Sequence, residues 1–129
     1  MVQYIGPDPL RSLYEAVQIL RREPAAAPEA SRTARLLAQG RVRMARKVGE
    51  EAIEVAIEAM RGDRDALVME AADLLYNLVV LLADLDIAPD EILAELRRRE
   101  MVFGIAEKLP KPDENNNNVT ASPVKRGKR

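Results

Sequence analysis

Apolar residues recur along this chain at three- and four-residue spacing, and that pattern predicts helices from end to end of its first hundred residues. Leu10, Leu13, Val17 and Leu20 mark one buried face of a first helix, from about Pro9 to about Arg22, with Asp8 as its cap. A Pro- and Ala-rich linker, Pro24 to Glu29, ends it. Ser31 suits the N-cap of a short second helix, Arg32 to Gln39, which Gly40 closes. A third helix is expected from about Val42 to Met60, with Arg61-Gly62 as its stop. Asp63 then caps a fourth that extends to about Leu85. Pro89 fits the first turn of a fifth, ending near Arg99 or Glu100. β-branched runs are few and no proline falls between Glu29 and Ala88, so the expected class is all-α, a bundle of four to five helices.

At Pro110 the pattern stops. Pro110, Pro112, the four asparagines Asn115–Asn118 and the end Lys125-Arg126-Gly127-Lys128-Arg129 form a polar stretch expected to be disordered. The organisation is therefore a helical domain over 1–109 and a tail over 110–129. Asn118-Val119-Thr120 is a glycosylation sequon without meaning unless the chain is secreted. The N-terminus has no basic region leading into an apolar one. The longest apolar run, Leu74 to Leu85, is short for a bilayer and broken by Tyr76, Asn77 and Asp84. A cytoplasmic protein with no membrane partner is expected.

Composition narrows the chemistry. The 129 residues include no histidine, cysteine or tryptophan, which excludes imidazole bases, thiol nucleophiles, disulfides and zinc sites built from Cys or His. Net charge is −1, divided as about −4 over residues 1–109 and +3 over the tail. The basic end is short, and nucleic acid is not the expected partner. Catalysis, if any, must use carboxylates, a hard metal held by oxygens, or Lys and Arg.

The carboxylates are not scattered. On a helical wheel Lys47, Glu50, Glu51, Glu54 and Glu58 fall within roughly 100° of arc. Alone, such a stripe is the ordinary wet face of an amphipathic helix, with Lys47 and Glu51 as an i,i+4 pair. The fourth helix alters that reading. It is apolar nearly all round, as expected for a central helix covered by neighbours. Yet Glu70, Asp73, Asn77 and Asp84 gather within roughly 60°. Carboxylates are seldom covered unless paired or bound to a cation. Glu-x-x-Glu on one helix facing Glu-x-x-Asp on the next would repel without positive charge between them, and oxygen-only ligands favour Mg²⁺, or Mn²⁺, over zinc. Gly49, inside the third helix, either permits close packing or leaves room for a substrate or metal.

Lys-Val-Gly-Glu-Glu-Ala-Ile-Glu at 47–54 and Glu-Ala-Ala-Asp-Leu-Leu-Tyr at 70–76 resemble the phosphoribosyl-ATP pyrophosphohydrolase family. That family sits in the all-α, MazG-like NTP pyrophosphohydrolase superfamily, whose signature is Glu-x-x-Glu followed by Glu-x-x-Asp. Here Glu51/Glu54 and Glu70/Asp73 are separated by fifteen residues, and the similarity runs from about Leu10 to Lys108. The resemblance implies Mg²⁺-dependent hydrolysis of phosphoribosyl-ATP to phosphoribosyl-AMP and pyrophosphate, the second step of histidine biosynthesis, by a homodimer with sites near the subunit interface. It implies Glu51, Glu54, Glu70 and Asp73 as metal ligands, Glu50 as a further ligand or base, and Lys47 at phosphate. Ser31, Thr33 and Asn77 are implied as substrate-binding residues. The chain departs from the family pattern at Arg32, where Tyr is usual, at Asn77, where His is usual, at Phe103 before Gly104, and at Leu109-Pro110-Lys111. Two alternatives therefore stand beside the leading reading: a house-cleaning enzyme for another nucleoside triphosphate, and a non-catalytic helical module.

Overall fold

The computed structural model describes residues 8–27 and 29–109; the expected disordered tail and its sequon lie outside them. Among the described residues there are five α-helices and no strand: α1 (Pro9–Arg22), α2 (Arg32–Gln39), α3 (Arg41–Arg61), α4 (Arg64–Asp84) and α5 (Pro89–Phe103). A single 3₁₀ turn, Pro24–Ala26, occupies the linker. The described residues fall into two units by their contacts, divided within α5 between Leu93 and Ala94.

Local chemistry sets the helix ends. Asp8 accepts from the Leu10 amide at 3.0 Å, and Pro9 occupies the first turn of α1, where no donor is lost. Ser31 accepts from the Ala34 amide at 3.1 Å and Asp63 from the Ala66 amide at 3.0 Å, capping α2 and α4. Gly62, with φ of 73°, takes the left-handed conformation that stops α3 and leaves a turn of only two residues before α4. At the end of α4 the left-handed position falls on Asp86, at φ 55°. The Asp86 amide donates to Ala83 O and the Ile87 amide to Leu82 O, the paired bonds of a Schellman ending. Gln18 Nε2 reaches Ala83 O at 3.1 Å, and the Arg21 guanidinium bonds Ala83 O and Asp86, so α1 side chains satisfy carbonyls at the negative end of α4.

The first unit is a bundle of α1 to α4 with the start of α5, which the Arg11–Asp90 ion pair ties to α1. Its core is Val17 from α1, Leu36 from α2, Met44 from α3, and Val80 and Ala83 from α4. These residues all lie near one end of the α3–α4 hairpin. No residue between Met44 and Asn77 is buried, so the far half of that hairpin lacks a core of its own. The expectation that α4 is covered on all sides holds for Asn77 to Ala83 and fails before them. Val68, Met69, Ala72 and Leu75 are exposed because, among the described residues of this unit, only α3 accompanies that part of α4. On α3, Ile53, Ile57 and Met60 are exposed likewise, Met60 at 89%.

By length and apolar content α4 would reach across a bilayer. It carries Glu70 and Asp73 at mid-helix, however, and packs against α3 and α1, the profile of a central helix in a helical domain. In the second unit α5 continues to Phe103, three residues past the expected end at Glu100, and Gly104 at φ 80° stops it. Glu95 pairs there with Arg98 at 2.9 Å and Arg99 at 3.2 Å, which holds its carboxyl down at about 2.

Candidate metal and nucleotide site

The two-residue turn makes α3 and α4 antiparallel, and the register follows from an ion pair. Arg41, the first residue of α3, meets Asp84, the last of α4, at 2.7 Å. Moving along the hairpin, residue numbers rise on α3 as they fall on α4, which sets Glu51 beside Asp73 and Glu54 beside Glu70. Ligand oxygens of Glu51, Glu70 and Asp73 lie within 4.8 Å of one another. These three belong to the set of four expected as metal ligands. Glu54, one turn on from Glu51, lines the same cleft and its charge acts on Glu70.

The electrostatics are those of crowded acids. Partial burial pushes the Glu70 carboxyl above its ordinary value. The close approach of Glu51 and the charges of Glu51, Glu54 and Asp73 add to that shift. Lys47 is the nearest compensation. Its Nζ sits 3.3 Å from both Glu50 and Glu51, and the bond to Glu51 above all raises its ammonium pKa, against the opposing effect of burial. Three carboxylates and no nitrogen or sulfur donor form an oxygen-only set, which suits a hard divalent cation that keeps waters and meets phosphate oxygens. The residues therefore fit Mg²⁺ or Mn²⁺.

The cluster forms one wall of a cleft of about 590 Å³ between α2, α3 and α4. Arg43 and Lys47 continue that wall toward the start of α3. The opposite wall comes from α2, with Arg32, Arg35 and Gln39, while Leu36 and Tyr76 supply apolar surface. The volume is in the range of small-molecule sites.

Other expected site residues have different surroundings. Glu50 is not among the cleft-lining residues; its carboxylate faces Lys47 and, at 3.7 Å, Arg43. Ser31 spends its hydroxyl on the α2 cap. The Thr33 hydroxyl shares a 2.6 Å hydrogen bond with the Tyr76 hydroxyl, which ties α2 to α4. Neither Ser31 nor Thr33 lines the cleft, whereas Asn77 does, 4% exposed and donating from Nδ2 to the Asp73 carbonyl at 2.8 Å. Asp84, placed in the polar seam by its wheel position, lies away from the cluster and pairs with Arg41. Gly49 faces open space, and an added Cβ would meet nothing within 4 Å, so it permits no close packing within this chain. Arg35, Gln39 and Arg43 were not anticipated as lining residues. The only sequence signal for Arg35 and Gln39 is a polar face on α2, which reads as solvated until the helix is docked, and Arg43 sits in the first turn of α3.

The family profile for phosphoribosyl-ATP pyrophosphohydrolase matches residues 13–100, which contain all the cleft residues. The chain belongs to this family. It is 53% identical over 104 residues to phosphoribosyl-ATP pyrophosphatase 2 of Rhodopseudomonas palustris, covering 81% of this chain and 77% of that one. Phosphoribosyl-ATP pyrophosphatases of Ruegeria pomeroyi (48% over 100 residues, 78% and 95% covered) and Gluconobacter oxydans (46% over 105 residues, 81% and 77% covered) are similar too. In this member of the phosphoribosyl-ATP pyrophosphohydrolase family, the segment matched by the profile brings Glu51, Glu70 and Asp73 to one point.

Proposed function

We propose that the protein hydrolyses phosphoribosyl-ATP to phosphoribosyl-AMP and pyrophosphate, the second step of histidine biosynthesis, with Mg²⁺ as its cofactor. The observation that carries the reading is the convergence of Glu51, Glu70 and Asp73 oxygens within 4.8 Å on a nucleotide-sized cleft that also presents Lys47 and Arg43. Family membership and the names of the relatives supply the substrate.

Glu51, Glu70 and Asp73 would hold the cation, with Glu54 beside them in the same cleft. When bound, the cation neutralises triphosphate charge and stabilises the departing pyrophosphate. Lys47 holds Glu51 in place and offers its ammonium to phosphate oxygens. Glu50 pairs with Lys47 and Arg43, and a carboxylate oxygen of the cluster not spent on the cation would take the proton of the attacking water. Asn77 fixes the α4 backbone at Asp73 through its amide. Water attack at the α-phosphorus breaks the α–β anhydride bond, giving a monophosphate and pyrophosphate. A substrate with four phosphates does not diffuse across membranes, so the enzyme would share the compartment where that substrate is made, which we take to be the cytoplasm.

The same reading includes a homodimer. Ile53, Ile57 and Met60 on α3, with Val68 and Leu75 on α4, leave apolar surface uncovered along the half-hairpin that has no core of its own. Contiguous apolar surface of this kind marks an interaction face. A second copy laid on it would cover the hairpin and steady the carboxylates it carries.

The test is pyrophosphate release from phosphoribosyl-ATP, ATP, dCTP and dUTP, each with and without Mg²⁺. Preference for phosphoribosyl-ATP supports the reading. Cleavage of a standard nucleotide with phosphoribosyl-ATP untouched refutes the substrate, and no release from any of them refutes catalysis.

A further inference from the structure

The cleft has two cationic groups with different company. Arg43 and Lys47 stand on the carboxylate-bearing helix and reach Glu50 and Glu51. Arg32 and Arg35 stand on α2, which contains no acidic residue, and among the described residues neither has an ion-pair or hydrogen-bond partner. They are three residues apart, so they share a helix face with Cβ atoms about 5–6 Å apart. Gln39, one turn beyond Arg35, extends the same face.

Two unpaired guanidiniums on one wall call for an anion that the triphosphate site does not already serve. A cation held by Glu51, Glu70 and Asp73, together with Lys47 and Arg43, would offset the triphosphate charge. The substrate proposed above carries one further group, the monoester phosphate of its ribosyl arm, a near-dianion at neutral pH with oxygens arranged to accept forked donors from two arginines. Leu36 and Tyr76 also line the cleft and supply apolar surface for the base. The Thr33–Tyr76 bond couples α2 to α4, so the fold itself sets the spacing between arginines and carboxylates.

We propose that Arg32 and Arg35 seat the monoester phosphate of the ribosyl arm, the phosphate the reaction leaves intact, and so select phosphoribosyl-ATP over nucleoside triphosphates. This rests on the substrate reading above and adds to it the residues that enforce the choice.

The experiment compares kcat/KM for phosphoribosyl-ATP with that for N1-ribosyl-ATP, which lacks only the monoester phosphate, in the full chain and in R32Q/R35Q. Circular dichroism melting confirms that the variant is folded, and R32K/R35K serves as the charge-keeping variant. Wild type should prefer the phosphorylated substrate. In R32Q/R35Q that preference should fall by about tenfold or more, mainly through KM, with partial recovery in R32K/R35K, since lysine keeps the charge and loses the fork. Equal losses on both substrates, or no loss on phosphoribosyl-ATP, would overturn the proposal while leaving the activity in place. So would a wild type that turns over both substrates equally well. A wild type inactive on both removes the activity reading, and this proposal with it.

Discussion

Tyr76→Phe removes one oxygen and tests whether the cleft is held open by the bond between α2 and α4. The Tyr76 and Thr33 hydroxyls share a 2.6 Å hydrogen bond at a part-buried position. A neutral bond of this kind contributes about 1 kcal/mol net. Its loss should lower the urea midpoint by roughly 0.5 M for an m-value near 2 kcal/mol/M. Thr33→Val should cost about as much, since either change leaves the other hydroxyl without its partner. The double variant replaces both hydroxyls with apolar groups, so it should be more stable than the sum of the two losses by about 1 kcal/mol. The chain has no tryptophan, so the assay is circular dichroism at the helix band, at one fixed protein concentration because self-association shifts apparent stability. Tyr76→Phe should also raise KM more than it lowers kcat, because α2 carries Arg32 and Arg35. Strict additivity of the two stability losses would refute the tie. A Tyr76→Phe variant with unchanged stability and a collapsed kcat would place the hydroxyl on the substrate instead.

Other expectations follow from the carboxylate cluster and the uncovered face. Glu51→Gln and Asp73→Asn should each cut pyrophosphate release by more than about 100-fold while keeping helical content, and should raise the metal-free melting temperature at neutral pH by relieving repulsion; retained turnover in both would remove these residues from the metal site. The Glu70 carboxyl is raised in the folded state, so its contribution to stability is present below the ordinary carboxyl value of 4.5 and is lost as pH climbs through the raised folded value. Metal-free protein should accordingly lose stability across that window and regain it on adding Mg²⁺; a Glu70→Gln variant with the same pH profile as wild type would contradict this. Ile57→Lys places a charge on the exposed α3 face. Light scattering should give about twice the 14.4 kDa chain mass for wild type and the single mass for the variant, and an unchanged mass would exclude that face as the interface.

Helix limits were legible because they are local. Asp8, Ser31 and Asp63 act on amides two or three residues away, and Gly40 and Gly62 break the chain where they stand. The carboxylate cluster was legible because a two-residue turn permits only one antiparallel register for Glu51, Glu70 and Asp73. What a wheel does not contain is the identity of a neighbour. Val48, Ile53 and Met60 are all apolar positions of α3, yet Val48 is half-buried while the other two meet solvent. Thr33 was assigned to substrate from its place in a motif, and its partner, Tyr76, is 43 residues away. The arginines of α2 have the spacing of any solvated helix face, and only docking of α2 against α4 turns that face into a cleft wall.

The account stands most directly on one measurement: Mg²⁺-dependent turnover of phosphoribosyl-ATP by the full chain, with both products quantified. Phosphoribosyl-AMP and pyrophosphate should appear in equal amounts, stop on chelation and resume when Mg²⁺ is restored. Turnover indifferent to chelation, or phosphoribosyl-ATP left intact while Mg²⁺ is present, would contradict it.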